Sequence, residues 1–337
     1  MIDQTHLYAE RYVDRPILSI EQITDGSINQ TFRIVYMDEG EQKAFILQNV
    51  SSIFPPTINE TLCTIEPLLS KAGVQVPKVI PTLAGELYIP ADGGRWWRAL
   101  SLLDGQVLHD HVTPAMAKSV GRLVGRFHTV LTERDLTVSD PLPHFHDTPF
   151  IMEQLKKARV ATIEQRKKET LDELTDEVLE RYTNFDVARL TNLPKRVIHA
   201  DLKISNIMFL KDEAIALIDM DTVMMHSVAI EMGDALRSWA GISGEDDPVQ
   251  VFDTAVCEAG LSGYLETATF LTDEERACIP LGISLLALEL AARFITDAYE
   301  ERYFALSSKY PNLYEQNRAR ANNQLALFSE IKKRSIE

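Results

Sequence analysis

The segment VIHADLKISNIMF (197–209) sets His199, Asp201, Lys203 and Asn206 between two apolar runs, and LIDMDTV (217–223) ends another apolar run with Asp219 and Asp221. These residue types at these spacings can act together. A carboxylate such as Asp201 can orient a hydroxyl group and take its proton. An amide oxygen five positions on (206 − 201) and a second carboxylate eighteen positions on (219 − 201) are hard oxygen ligands for a divalent cation such as Mg²⁺. A hairpin's length of chain separates Asp201 from Asp219, so both can reach one edge of a cleft. Alone, H-x-D-x-x-x-x-N fits turn and cap residues at ordinary strand ends equally well; the second acidic pair behind AIALI favours the chemical reading.

The flanking elements must hold these groups. In 23–50, a turn at Asp25–Gly26 precedes a strand in TFRIVYM, a second turn at Asp38–Glu39–Gly40, and a strand in AFILQNV, a hairpin pattern. Helical spacing in 58–73 ends at Gly73, and ELYIP and RWWRALSLLDG bracket a turn at 92–94. Trp96 and Trp97 are consecutive in that strand, so they face opposite ways, and core packing is the favoured role for both. Beyond Thr113 the period is helical: 116–131, then one or two charged helices in 151–185, and helices again after Met232. The chain therefore reads as α+β with two lobes: a strand-rich N-lobe over 1–101, a linker over 102–112, and a mostly helical C-lobe over 113–337. A cleft between lobes is a favoured ligand site.

With 337 residues and a 45% hydrophobic fraction, the chain can bury a full core. Its net charge of −16 repels polyanions, which argues against a nucleic-acid partner. Cys63, Cys257 and Cys278 lack any CxxC spacing, which argues against a disulfide framework and for small core hydrophobes in a reducing compartment. The N-terminus has no signal-peptide pattern. The apolar stretch 279–294 is interrupted by Glu289 and Arg293 and reads as a buried helix. A cytoplasmic protein without a membrane partner is expected. His109, Asp110 and His111 could bind a metal, but with no fourth ligand evident a solvated loop is favoured.

HADLKISN also fits the protein-kinase catalytic loop H-x-D-L-x-x-x-N, with MDT standing where the D-F-G metal site would stand. Together with LIDMDTV, it resembles the aminoglycoside phosphotransferase and choline kinase superfamily, whose fold is protein-kinase-like. The segments DGSINQTF, AFILQNV, PHFHDTPF, MGDALRSWAG and RFITDAYEERYF resemble the N-acetylhexosamine 1-kinase branch of it. The resemblance implies transfer of a phosphoryl group from ATP, with Mg²⁺, to the anomeric hydroxyl of a small sugar, GlcNAc or GalNAc. It implies Asp201 as base, Asn206 and Asp219 as metal ligands, and His199 as a brace of the loop. It implies Gly26, Ser27 and Asn29 over the nucleotide phosphates and Leu102 and Leu103 beside adenine. Asp147, His144, Asp221 and Lys203 would line the acceptor pocket, and Asp234 and Arg237 would hold the C-lobe together.

The departures bear on the substrate. The hexosamine kinases tend to read HNDTK and ILQR where this chain reads HADLK and ILQN. Protein kinases place a lysine on the strand corresponding to AFILQNV, paired with a helix glutamate. This strand lacks it, Lys43 lies just before, and Glu60 is a candidate partner or a surface residue. A kinase for another small hydroxyl compound, such as an amino alcohol or aminoglycoside, is the alternative, and a non-catalytic binding protein of the same fold is a further one.

Overall fold

β-Branched and aromatic residues alternate with polar ones along the first fifty positions, and the chain folds there into antiparallel strands. The computed structural model describes residues 2–24, 28–108, 112–134, 136–241, 246 and 251–333. Helix α1 (Ile2–Ala9) leads into β1 (Ile17–Ile23), β2 (Gln30–Asp38) and β3 (Glu41–Val50). The expected turn joins β2 to β3, with Glu39 at φ 51° and Gly40 at φ 86°, the pattern of a two-residue hairpin turn. Helix α2 (Ile58–Lys71) follows, then β4 (Val79–Ile80), β5 (Ile89–Pro90) and β6 (Trp96–Ser101). The sheet order is β1-β2-β3-β6-β4, with β5 also on β6. Trp97 stacks on Tyr8, while Trp96 packs with Val50, Phe54 and Ile58, so both tryptophans are core on opposite faces.

The chain crosses between lobes at 102–105, after which β7 (Gln106–Val107) pairs with a C-lobe strand. Gly105 sits at φ 123°, and a Cβ there would lie 2.9 Å from the Phe209 carbonyl oxygen, so the crossing requires glycine. The metal-binding alternative at His109–His111 lies outside the described residues.

The C-lobe holds α3 (Pro114–Thr132), α4 (Thr148–Ala161), α5 (Gln165–Thr183) and α6 (Val187–Thr191). Two nested antiparallel pairs come next. The outer pair is β8 (Arg196–Ile198) with β11 (Met224–His226), and the inner is β9 (Ile207–Leu210) with β10 (Glu213–Leu217). Nesting puts the loop after β8 and the loop after β10 at the same end. Helices α7 (Val228–Ala240), α8 (Thr254–Thr267), α9 (Asp273–Glu300) and α10 (Leu313–Lys333) complete the lobe. The 151–185 stretch is thus two helices.

One main core runs from Leu62, Ile65 and Leu69 of α2 through α3 to α7 and α8, so the lobes share buried surface. Among the described residues, only α9 is long and apolar enough to cross a membrane, and 78% of that stretch is buried inside the protein. The expectation for the cysteines needs one correction: Cys257 and Cys278 are buried, but Cys63 is exposed, because it lies beside and not on the α2 face that carries Leu62 and Ile65.

Candidate active site

His199 closes β8, and its ring joins the two loops of the nested hairpins. Its Nε2 lies 2.9 Å from the Ile218 carbonyl, and its Nδ1 accepts from the Asp201 amide at 3.3 Å. A carbonyl only accepts and an amide only donates, so this ring is the tautomer protonated on Nε2. Thr222 Oγ1 donates to the His199 carbonyl at 2.7 Å, tying the Asp219 loop back to the same residue. His199 therefore bridges the two loops.

Asp201, Lys203 and Asn206 come together. Asn206 Nδ2 donates to the Asp201 carbonyl (2.8 Å) and to its Oδ2 (2.9 Å), and Lys203 Nζ donates to the same Oδ2 at 2.7 Å. Both donors fix one carboxylate oxygen and leave Oδ1 without a partner among the described residues. The Asn206 carbonyl accepts from the Ile218 amide at 2.9 Å, which sets the depth of Asp219. Asp219 itself adopts φ 60°, ψ 53°, a left-handed conformation that costs a non-glycine residue on the order of 1–3 kcal/mol. Ala200, before Asp201, is also left-handed at φ 69°. Asparagine tolerates that region better than alanine does, which gives one of the sequence departures a local cost.

The Asp219 carboxylate is open to solvent yet ringed by protein on the cleft floor. Desolvation, then the nearby Asp221 and Asp201 carboxylates, push its pKa up to about 6, against the pull of Lys203 and His199. Crowded carboxylates with hard oxygens fit a divalent cation, whose charge would relieve the repulsion. No cluster of three or more His, Cys, Asp or Glu ligands occurs among the described residues. The protein thus offers few ligands, the usual arrangement for Mg²⁺ carried on phosphates. Burial alone would lower the Lys203 pKa, but Asp201, Asp219 and Asp234 outweigh it and raise it.

Beneath the loop lies a polar support that motif reading missed. The Ala200 amide donates to Glu231 Oε1 at 2.6 Å, and the other Glu231 oxygen meets His128 Nε2 at 2.5 Å, whose Nδ1 meets the Tyr264 hydroxyl. On the other side, His146 Nε2 reaches the Ala200 carbonyl (3.2 Å) and Nδ1 reaches Glu289 Oε1 (3.0 Å). Both partners accept only, so both ring nitrogens carry protons and His146 is an imidazolium. Burial opposes that charge, but Glu289 outweighs it and raises the pKa. A signal existed: Glu231 and Glu289 are charges inside apolar runs, and such charges need partners.

Other expected residues are placed as follows. Asp221 is 1% exposed, with Oδ1 bonded to Arg98 (2.5 Å) and Oδ2 to Asn29 (3.0 Å), so both oxygens are committed to a contact between lobes and none is left for an acceptor pocket. Asn29 also accepts from the Ser51 amide, so its amide group is likewise spent within the fold. His144 stacks on Phe150 and pairs with Asp147, and Asp147 caps α4 at the Phe150 amide. Leu102 and Leu103 lie in the interlobe crossing, with Leu102 exposed. Gly26 and Ser27 fall outside the described residues. Arg237 bonds Asp234 and Gln324, as befits a C-lobe tie. Lys43 pairs with Asp38 at the exposed hairpin end, away from the role of a strand lysine.

A family model for the phosphotransferase enzyme family known as APH matches residues 19–268 of the 337. The chain belongs to this family. The match takes in the catalytic loop and the Asp219 loop, from Asn29 through Asp219 to Glu231. The family member is also similar in fold to a microcompartment-associated aminopropanol kinase (TM-score 0.66, 18% identity, 99% of this chain and 98% of that one). It is similar to an amicoumacin kinase solved with AMP-PNP, Ca²⁺ and its ligand (0.62, 16%, 99% and 93%). A choline kinase from Cryptosporidium parvum Iowa II is a third (0.59, 14%, 95% and 91%). The two-lobed, protein-kinase-like α+β fold expected from the sequence is the fold observed.

Proposed function

We propose that this phosphotransferase uses ATP and Mg²⁺ to phosphorylate a small neutral sugar, the anomeric hydroxyl of an N-acetylhexosamine (GlcNAc or GalNAc), giving the sugar 1-phosphate. The observation that carries the phosphotransfer reading is the Asp201 carboxylate, fixed through Oδ2 by Lys203 and Asn206 with Oδ1 free. Asp201 Oδ1 is the atom that takes the acceptor's proton. Asn206, through its own side-chain oxygen, and Asp219 would hold Mg²⁺. That ion, when bound, neutralises the phosphate oxygens. Lys203 faces the charge that develops on the transferred group and stays protonated because Asp201, Asp219 and Asp234 surround it.

Asp234 on α7 is half-buried, and desolvation would raise its pKa, but Arg237, then His146 and Arg293, hold it below the usual carboxylate range. Asp234 Oδ1 takes two bonds from Arg237 (2.7 and 3.0 Å). The sugar as acceptor is supported by the segments DGSINQTF and PHFHDTPF, which resemble the hexosamine kinases. The resemblance of RFITDAYEERYF to the hexosamine kinases adds to this.

The test is ³¹P NMR of products after incubation with MgATP and a panel of GlcNAc, GalNAc, other hexoses, amino alcohols and aminoglycosides. A sugar 1-phosphate resonance from GlcNAc or GalNAc is expected. Asp201→Asn should fold and lose about 10²–10⁴-fold in turnover. Phosphorylation of an amine-bearing acceptor alone would discard the sugar and keep the chemistry.

A further inference from the structure

The strand lysine that kinase folds pair with a helix glutamate has no counterpart on β3, and the structure shows what stands in its place. On β3 the residue is Gln48, and on the first turn of α2 it is Asn59, both neutral. A cation reaches this spot from the next strand: Arg98 is the register partner of Gln48 across β3 and β6 and is 2% exposed. Its Nε donates to Gln48 Oε1 at 2.9 Å, one Nη to Asn59 Oδ1 at 3.5 Å, and the other to Asp221 Oδ1 at 2.5 Å. The Asn59 Nδ2, fully buried, has no partner among the described residues. A carboxylate on α2 at this position would face the guanidinium with acceptors only. Asn59 cannot balance the charge, so Asp221 does.

We propose that Arg98, with Asp221 as its counter-ion, is the positioning pair of this enzyme. The ion pair that registers the lobes for phosphoryl transfer elsewhere runs from strand to helix; here it runs from β6 to the residue two positions past Asp219. The inference rests on the phosphotransfer reading for its catalytic consequence and on geometry alone for the contact. Asn29, on the turn before β2, takes the remaining Asp221 oxygen, so two N-lobe segments grip one C-lobe carboxylate, and β3 holds Arg98 through Gln48. Arginine suits the task because a rigid planar fork fixes the directions in which its acceptors lie, which an ammonium on a flexible stem does not. A buried pair of this kind is weak evidence for stability, since desolvation offsets its attraction. Its effect is on alignment. Each Arg98 nitrogen makes one bond within the protein, so Arg98 sets the pose of the Asp219 loop.

The test compares wild type with Arg98→Lys, Asp221→Asn and the double variant. In the free protein, hydrogen exchange of the amides at 219–223 is followed by mass spectrometry. On the loaded protein, MgADP affinity is measured by calorimetry, and kcat and KM for MgATP are measured with GlcNAc. The expected result is exchange faster by tenfold or more at 219–223 in each single variant, with MgADP affinity within about threefold of wild type. The drop in kcat should be about 10- to 100-fold, and the double variant should be no worse than either single one, as for residues that act as a unit. Unchanged exchange in both single variants would overturn the proposal. So would a large loss of MgADP affinity with kcat intact, which would make Arg98 a phosphate ligand. If Arg98→Lys does not fold, Asp221→Asn, which keeps the side chain's shape, decides alone. A wild type that neither binds MgADP nor transfers phosphate would end the phosphotransfer reading, while the exchange comparison would still decide the clasp.

Discussion

Glu231 is the fourth residue of α7 and has neither Asp201 nor Asp219 among its hydrogen-bond partners, yet it should control both stability and turnover. It is 2% exposed, and its two oxygens hold the Ala200 amide at 2.6 Å and His128 at 2.5 Å. Glu231→Ala removes both acceptors. A hydrogen bond to a charged group contributes about 1.5–3 kcal/mol, and leaving a buried partner stranded adds to the loss, so removing one member of a buried pair costs about 3–5 kcal/mol. Glu231→Gln is gentler. Its carbonyl can still accept from Ala200, and its amide can donate to His128 if that ring moves its proton to Nδ1 and donates to Tyr264. Urea unfolding monitored by circular dichroism, with unchanged slope, should place Glu231→Ala about 3–5 kcal/mol below wild type and Glu231→Gln within about 2. Turnover should follow the same order, because Ala200 immediately precedes Asp201. Glu231→Ala within 1 kcal/mol of wild type and with full kcat would refute the support argument.

The His146–Glu289 pair gives a pH signature. The folded pKa of His146 is raised, so its contribution to stability is full below the ordinary value of 6.5 and is lost as pH rises through the folded value. Urea midpoints of wild type minus those of His146→Gln should therefore shrink between pH 6 and pH 9, and a difference that grows with pH would contradict the imidazolium assignment. Gly105→Ala places a Cβ 2.9 Å from a carbonyl oxygen at φ 123°, and a loss of about 1–3 kcal/mol in the same unfolding assay is expected; equal stability would mean the crossing can shift. Asp219→Asn should raise the Mg²⁺ concentration needed for half-maximal turnover, read from a magnesium titration at fixed ATP.

The sequence made the local part of the site legible. Asp201, Asn206 and His199 are set by spacings of a few residues on one loop, and Asp219 returns through a hairpin that strand patterning anticipates. The β2–β3 turn, the buried α9 and the opposed tryptophans follow from alternation and period in the same way. What was hidden depends on long-range partners. Arg98 meets Asp221 across 123 positions, His146 meets Glu289 across 143, and Glu231 meets Ala200 across 31. Alternation places Arg98 on the cleft face of β6, but only the packed lobes show which carboxylate answers it. The resemblance assigns Asp221 to the acceptor pocket, whereas its oxygens face Arg98 and Asn29. The left-handed turn of Asp219 separates their directions, sending one side chain to the cleft and the other to the sheet.

The nesting of the two hairpins has an evolutionary and practical side. Chemistry gathers at the end where β8 and β10 finish, while the β9–β10 connection, Lys211–Asp212, lies at the opposite end, exposed and just two residues long. Length and charge can drift at that tip without moving a carboxylate of the site. The same tip is a natural attachment point for a fluorophore or an affinity handle, placed on the catalytic hairpin itself yet outside its working end.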